Sequence, residues 1–238
     1  MKVSVVIPMY NENKIIASTA CALSEFMERS FEDYEIIFFD DGSCDGSAYT
    51  VEQLGLPNIR ILSYGENRGK GCAVRHGMLA CEGDIRIFTD ADLAYGTDVI
   101  FDAVVTYQNE KDADIIIGSR NLNKDGYDGY TLKRKVMSKI YIKLLCLMGG
   151  FKLSDSQCGI KAFSAEAAEK VFSDCSIDGF AFDFEVILRA QMHGFKMAEM
   201  PVKVVNHRES SVRPLRDSFK MLGDIKRIKK QIKTEKTL

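Results

Sequence analysis

The chain has 238 residues, 46% of them hydrophobic and 28% charged, with a formal net charge of −2. That length supports a sizeable core, and the composition of an ordinary globular domain excludes fibrous and low-complexity classes. Seven scattered cysteines with no Cys-x-x-Cys pair, and three dispersed histidines, exclude a disulfide framework and a zinc cluster and point to a reducing compartment.

Met1-Lys2 leads directly into an apolar run, so no secretory signal is expected. No apolar stretch reaches the roughly 18 residues that a membrane span needs. The expectation is a cytoplasmic protein, with contact to a membrane surface left open. Charge is unevenly spread. Lys133 to Lys152 carries six basic residues and no acid, and Arg213 to Leu238 carries nine basic against three acidic. The basic partner is therefore local, and a general nucleic-acid-binding balance is not suggested.

Val3 to Pro8 is an apolar, β-branched run of the kind buried on both faces of a parallel sheet. Glu12 to Glu28 shows helical spacing through Ile15, Ile16, Leu23, Phe26 and Met27, with Asn11 or Asn13 as N-cap. Tyr34 to Phe39 is a second strand and runs into Asp40-Asp41-Gly42-Ser43-Cys44-Asp45-Gly46. A helix from about Ser47 to Leu54 and a strand from Ile59 to Ser63 follow. Asn67-Arg68-Gly69-Lys70-Gly71 then opens a helix through Leu79. The Gly65 to Gly71 segment is one residue short of the ATPase phosphate loop, and Gly71 stands where Ser or Thr should be.

Ile85 to Leu93 reads as a central strand ending in Asp90 and Asp92. A period of two points both carboxylates to one side. Paired carboxylates repel unless a cation sits between them, and Mg²⁺ or Mn²⁺ suits that place. Asp90 and Asp92 are the metal candidates. Ile115 to Arg120 is a fifth strand ending in an arginine. A polar loop then leads to a basic amphipathic helix, Leu132 to Met148, with Arg134 and Ser138 one turn apart. Asp155-Ser156-Gln157-Cys158-Gly159-Ile160-Lys161 is followed by a helix from about Ala165. Phe182-Asp183-Phe184-Glu185 opens a further helix ending at His193-Gly194. Met197 to Val205 is a late strand. Pro214 to about Lys230 is a terminal helix with Leu215, Phe219, Leu222, Ile225 and Ile228 on one side. Alternating strands and helices with short connections predict a doubly wound α/β sheet, with ligands beyond the carboxyl ends of its strands.

The pieces Pro8-Met9-Tyr10-Asn11-Glu12, Asp40 to Gly46, Asn67 to Gly71, Asp90-Ala91-Asp92-Leu93 and Gly118-Ser119-Arg120, in this order, resemble a family 2 glycosyltransferase of the GT-A type. Asp155 to Lys161 and Phe182 to Glu185 look most like dolichyl- or polyprenyl-phosphate glucosyltransferases, with mannosyl-phosphate synthases second. The resemblance implies a mixed sheet with helices on both faces. Residues 1–120 would form a nucleotide-sugar half and 121–210 an acceptor half, followed by a basic amphipathic C-terminal segment, 211–238. It implies Pro8, Tyr10, Glu12 and Asp41 around the nucleotide, with Lys70, Asp90, Ala91 and Asp92 along the nucleotide sugar and the metal. Arg120, Arg134 and Ser138 would hold an acceptor phosphate. Gln157, Lys161 and Glu185 would belong to a substrate loop. Asp90, Asp92, Arg120 and Asp183 are the catalytic candidates, and Asp183 or Glu185 would serve as base if the acceptor is a hydroxyl. The implied activity moves a hexose, glucose from UDP-glucose first and mannose from GDP-mannose second, onto a polyprenyl phosphate at a membrane surface. A silent nucleotide-sugar binder is the remote alternative. Two departures stand out. Tyr95-Gly96 replaces a usual proline, and Asn206-His207 replaces a usual tryptophan.

Overall fold

The computed structural model describes residues 1–206 and 214–235, without the side chains of 214–220 and 222. His207 and Arg213, and the side chains of Leu215, Phe219 and Leu222, lie outside the described residues. The strands are β1 (Val3–Met9), β2 (Tyr34–Asp40), β3 (Ile59–Ser63), β4 (Ile85–Phe88), β5 (Ile115–Ser119), β6 (Lys161–Ser164) and β7 (Met197–Pro201). They form one sheet in the order β3-β2-β1-β4-β6-β5-β7. The helices are α1 (Ile16–Ser30), α2 (Ser47–Gln53), α3 (Lys70–Ala80), α4 (Asp98–Asn109), α5 (Leu132–Gly149), α6 (Ala165–Asp174), α7 (Phe182–Met192) and α8 (Pro214–Glu235). The mixed α/β architecture is as the alternation of elements predicted.

Order in the sheet fixes where a ligand can enter. The chain winds outward from β1 through β2 to β3, then returns to place β4 on the other side of β1, parallel to it with Val6 opposite Phe88. Connections therefore diverge between β1 and β4, and a crevice opens beyond their carboxyl ends. Pro8 to Glu12 and Thr89 to Asp92 border it.

Antiparallel β6 is inserted between β4 and β5, with Lys161 opposite Phe88. This carries the preceding segment, residues 155–160, to the same rim. Neither β6 nor α4 is among the elements expected from the sequence. The expected central strand runs to Leu93, whereas β4 stops at Phe88. Asp90 and Asp92 sit in a turn closed by Leu93 N donating to Asp90 O at 3.0 Å. Strand periodicity therefore does not set their direction.

Each face of the sheet has its own core. One joins α1 and α4 to β1 and β2 through residues such as Leu23, Met27, Ile36, Phe38 and Ile100. The other joins α3, α6, α7 and α8 through Val74, Phe88, Phe163, Phe172, Phe184 and Ile225. The two basic helices differ in how they use their apolar sides. In α8, Met221, Ile225 and Ile228 are buried in that second core. In α5 only Ile142 and Leu145 are buried, while Leu132, Val136, Met137, Ile140, Leu144 and Leu147 are between 44% and 78% exposed. Among the described residues no helix is long and apolar enough to cross a membrane.

Candidate active site

Loops after β1 and β2 are zipped together by hydrogen bonds. Asn11 N donates to Ser43 Oγ, Cys44 N to Asn11 Oδ1, Glu12 N to Ser47 Oγ and Asn13 N to Asp45 Oδ2, all within 2.8–3.0 Å. Asn11 takes a left-handed φ of 54° to make this possible. Pro8 ends the strand side of this rim, and Tyr10 projects from it, 45% exposed. The expected nucleotide-binding residues of this stretch thus share one edge.

Asp41, expected beside the nucleotide, is 3% exposed and holds the next loop. Its carboxylate accepts from Tyr64 Oη, from Asn67 Nδ2 at 3.0 Å, from Arg68 N at 2.8 Å and from Gly69 N at 2.9 Å. Gly42 is needed for the approach, because a Cβ there would strike the backbone of Glu66 and Asn67 at 2.7 Å or closer. The loop so fixed delivers Lys70, the first residue of α3. The amides behind it are already engaged: Gly71 N and Cys72 N both donate to Asp178 O, at 2.8 and 3.3 Å. The backbone of Gly69 to Gly71 is packed against residues 177–179. A Cβ on Gly69 would stand 2.5 Å from Asp178 O.

Lys70 Nζ is ion-paired with Asp90 Oδ1. The two carboxyl-rim elements, the α3 start and the turn after β4, are thereby joined. Asp92 Oδ1 accepts from Ala94 N at 3.1 Å, and Ala91 O accepts from Thr19 Oγ1 at 2.7 Å. Leu93 is held at φ 46°, an uncommon value for a residue with a side chain, so the turn carries strain that its neighbours must sustain. Two of those neighbours are the departures noted in the sequence. Tyr95, 9% exposed, accepts Gly159 N on its hydroxyl at 3.3 Å. Asn206 Nδ2 donates to Leu93 O at 2.8 Å, while Val205 N donates to Ala94 O. The chain after β7 thus folds back over the turn. Gly159 completes the enclosure: a Cβ there would collide with Asp90 Oδ2.

Two residues expected in a substrate loop are buried and hydrogen-bonded within the fold. Lys161 is wholly buried, and its ammonium donates to Asp183 Oδ1 at 2.5 Å and to Cys158 O at 2.8 Å. Glu185 is wholly buried too, accepting from Ile177 N at 2.7 Å and Ser176 N at 3.0 Å. It anchors the segment whose carbonyl closes the α3 start. Gln157 stays within its own loop, donating from Nε2 to Ser156 O at 3.3 Å. Asp183 lies in the first turn of α7 and makes no cap to it. Burial pushes its carboxyl above the ordinary carboxylate range, against the opposing pull of Lys161 and Lys70.

Arg120, Arg134 and Ser138 are brought into one neighbourhood by two tyrosines. The Arg120 guanidinium is 5.1 Å from the Tyr127 ring centre, Arg134 is 3.9 Å from that of Tyr130, and the two rings meet edge-on at 5.7 Å. Ser138 faces Tyr127. Arg120, an expected phosphate ligand, is engaged within the fold. It is 9% exposed, and its Nε and Nη2 form a fork on Asp155 at 2.6 and 2.9 Å. Asp155 itself is fully buried. The sequence assigns no role to Asp155 or Asp178, whose partners Arg120 and Gly71 lie far away in the chain, nor to Tyr127.

Residues 4–172 match the family model described as glycosyl transferase family 2. The dolichyl-phosphate beta-glucosyltransferase of Dictyostelium discoideum is 34% identical over 243 residues, spanning 95% of this chain and 73% of its own length. The protein of the same name from Saccharomyces cerevisiae is 30% identical, spanning 93% and 72%. Among solved structures, glucosyl-3-phosphoglycerate synthase from Mycobacterium tuberculosis, crystallised with Mn²⁺, UDP and phosphoglyceric acid, superposes with a TM-score of 0.73 at 19% identity. That superposition covers 97% of this chain and 78% of the other, and it establishes the shared fold. The chain therefore belongs to glycosyl transferase family 2 and is a glycosyltransferase.

Proposed function

We propose that the enzyme transfers glucose from UDP-glucose to a polyprenyl phosphate, inverting the anomeric centre, with Mg²⁺ or Mn²⁺ held by Asp90 and Asp92. The observation that carries this is the carboxylate turn at the crevice between β1 and β4, together with an Asp183 that is already engaged. The relatives' names supply the sugar and the acceptor class.

The donor set fits a hard cation. Asp90 and Asp92 offer carboxylate oxygens, the loop glycine Gly159 leaves space for Asp90 Oδ2, and a positive group already lies against Oδ1. Among the described residues no group of three or more His, Cys, Asp and Glu forms a complete cage. Such ions are usually held by one or two carboxylates plus substrate oxygens and water. When bound, the ion supplies Lewis-acid stabilisation of the departing diphosphate.

This chain's own residues do the rest. Lys70 adds a positive charge beside the same leaving group, and the Asp41-anchored loop keeps that lysine in place. A phosphate monoester is largely ionised at neutral pH, with a second pKa of about 6, so it attacks without a strong base. That suits a site in which Asp183 is buried and paired with Lys161. A hydroxyl acceptor would need Asp183 as a free base within reach of solvent and substrate. Attack from the face opposite the diphosphate gives inversion. The Arg134, Ser138 and Tyr127 neighbourhood is the acceptor end, since arginine and hydroxyl donors suit a phosphate.

A polyprenyl acceptor lies in a bilayer, and α5 offers the matching surface. Its outward apolar side is flanked by Lys133, Lys135, Lys139 and Lys143, and no acidic residue occurs between Gly129 and Ser154. Basic residues near anionic lipid contribute roughly 1 kcal/mol each. This face of α5 supports reading the enzyme as a peripheral membrane protein.

The reading is tested by extracting radiolabelled lipid from reactions of the wild type, Asp90→Asn and Asp92→Asn with UDP-glucose and polyprenyl phosphate. Labelling should need Mg²⁺ or Mn²⁺, stop with EDTA, and fall at least 100-fold in each variant. Lipid labelling that persists in EDTA and in both variants would overturn the metal assignment.

A further inference from the structure

We propose that Lys70 is a tethered cation that competes with a divalent ion for Asp90, so that metal binds weakly until a nucleoside diphosphate draws Lys70 away. The proposal rests on the metal reading above and adds an order of binding to it.

Three observations converge on Lys70. First, its helix start offers an anion little besides this side chain, because the Gly71 and Cys72 amides are both taken by Asp178 O. Second, its ammonium is paired with the very carboxylate that the divalent ion requires. Third, its ammonium also lies 5.9 Å from the Phe182 ring centre, beside the first turn of α7 that carries Asp183. Asp183 cannot drift out of this arrangement, since wholly buried Lys161 fixes it at 2.5 Å.

The charge balance then sets the order. Asp90, Asp92 and Asp183 carry three negative charges, against two positive charges on Lys70 and Lys161. A divalent ion entering alone must dislodge Lys70 from Asp90 and then lie beside its ammonium, and like charges that close repel strongly. A diphosphate changes both conditions. Its oxygens give Lys70 a new partner at the end of a flexible four-carbon stem, and they complete the coordination of the ion. Lys70 is 26% exposed at its side chain and Asp90 31%, so the exchange can occur at the crevice surface without opening the core.

The test is Mn²⁺ titration of the whole protein, followed by the electron paramagnetic resonance of free Mn²⁺, without and with UDP and corrected for Mn²⁺ bound by free UDP. Nucleotide-free Lys70→Met should bind Mn²⁺ at least 10-fold more tightly than the wild type. Lys70→Arg, which keeps the charge, should stay within about twofold of the wild type. The gap between UDP-free and UDP-bound affinities should shrink in Lys70→Met. If Lys70→Met folds poorly, Lys70→Gln takes its place with the same expectation. Equal Mn²⁺ affinity in nucleotide-free wild type and Lys70→Met overturns the proposal. If Asp90→Asn and Asp92→Asn bind Mn²⁺ with UDP as well as the wild type does, the metal reading itself falls. That failure is recognisable, because it does not depend on Lys70.

Discussion

Replacing Arg120 with alanine separates a structural role from a substrate-binding one. Asp155 is fully buried, and the Arg120 fork at 2.6 and 2.9 Å, with the Arg120 amide at 3.2 Å, supplies its positive counterpart. Arg120→Ala leaves that carboxylate sealed and uncompensated. Breaking a buried pair on one side typically costs about 3–5 kcal/mol. For a chain of this length each kcal/mol moves the melting temperature by roughly 2–4 °C, so a fall of about 6–20 °C is expected. Arg120→Lys should recover only part of it, because an ammonium cannot reproduce the two-pronged contact. Arg120→Ala with Asp155→Asn should lie closer to the wild type than Arg120→Ala alone. The assay is denaturant and thermal unfolding alongside the acceptor KM. An Arg120→Ala protein within 1 kcal/mol of the wild type would refute the structural assignment, and an acceptor KM raised more than tenfold in that same stable protein would establish Arg120 as a phosphate ligand.

Glu35 gives a pH-dependent expectation. Burial opposes its ionisation, but hydrogen bonds from Ser4 Oγ, Glu82 N and Arg60 outweigh that and hold its carboxyl below the ordinary value of 4.5. The ionised form thus stabilises the fold fully above pH 4.5, and this contribution is lost as pH falls further, through the lower native value. Glu35→Gln should lose roughly 1–3 kcal/mol at neutral pH and show a shallower decline in acid, measured by urea unfolding across pH. A parallel decline in both proteins would contradict it. Gly159→Ala places a methyl group against Asp90 Oδ2 and should lower activity at least tenfold while shifting the melting temperature by only a few degrees; full activity would mean that Asp90 is free to move. Ile140→Glu, on the exposed side of α5, should abolish flotation with anionic vesicles and leave the unfolding curve unchanged. Flotation equal to the wild type would count against α5 as the lipid-facing surface.

The parallel half of the sheet was legible because its strands are continuous apolar runs, and Val3 to Pro8 and Tyr34 to Phe39 can be buried only from both sides. Four loops at strand ends could likewise be placed on one rim from order alone. What escaped depends on long-range pairing. β6 is four residues long and begins with a lysine, which reads as loop until Asp183, 22 residues later, is seen to neutralise it. Nothing local to Arg120 shows that Asp155, 35 residues on, is buried against it. Glu185 has the residue type of a substrate contact, yet it is fixed by the Ser176 and Ile177 amides. α4 was different: Val99, Ile100, Ala103 and Val104 stand at helical spacing after Thr97-Asp98, so its signal was present and passed over. The strand period assigned to Asp90 and Asp92 failed for a further reason. Leu93 adopts a left-handed backbone, which apolar periodicity does not reveal.

The most direct measurement is transfer of radiolabelled sugar by the purified wild type from UDP-glucose, and in parallel from GDP-mannose and UDP-N-acetylglucosamine, into organic-extractable polyprenyl-phosphate product. The expected result is labelling from UDP-glucose with Mg²⁺ or Mn²⁺ and none with EDTA, with a β-linked sugar on the lipid phosphate. Labelling from GDP-mannose alone would contradict the donor assignment. An extractable product with no metal requirement, or sugar found only on hydroxyl acceptors, would contradict the account of the site.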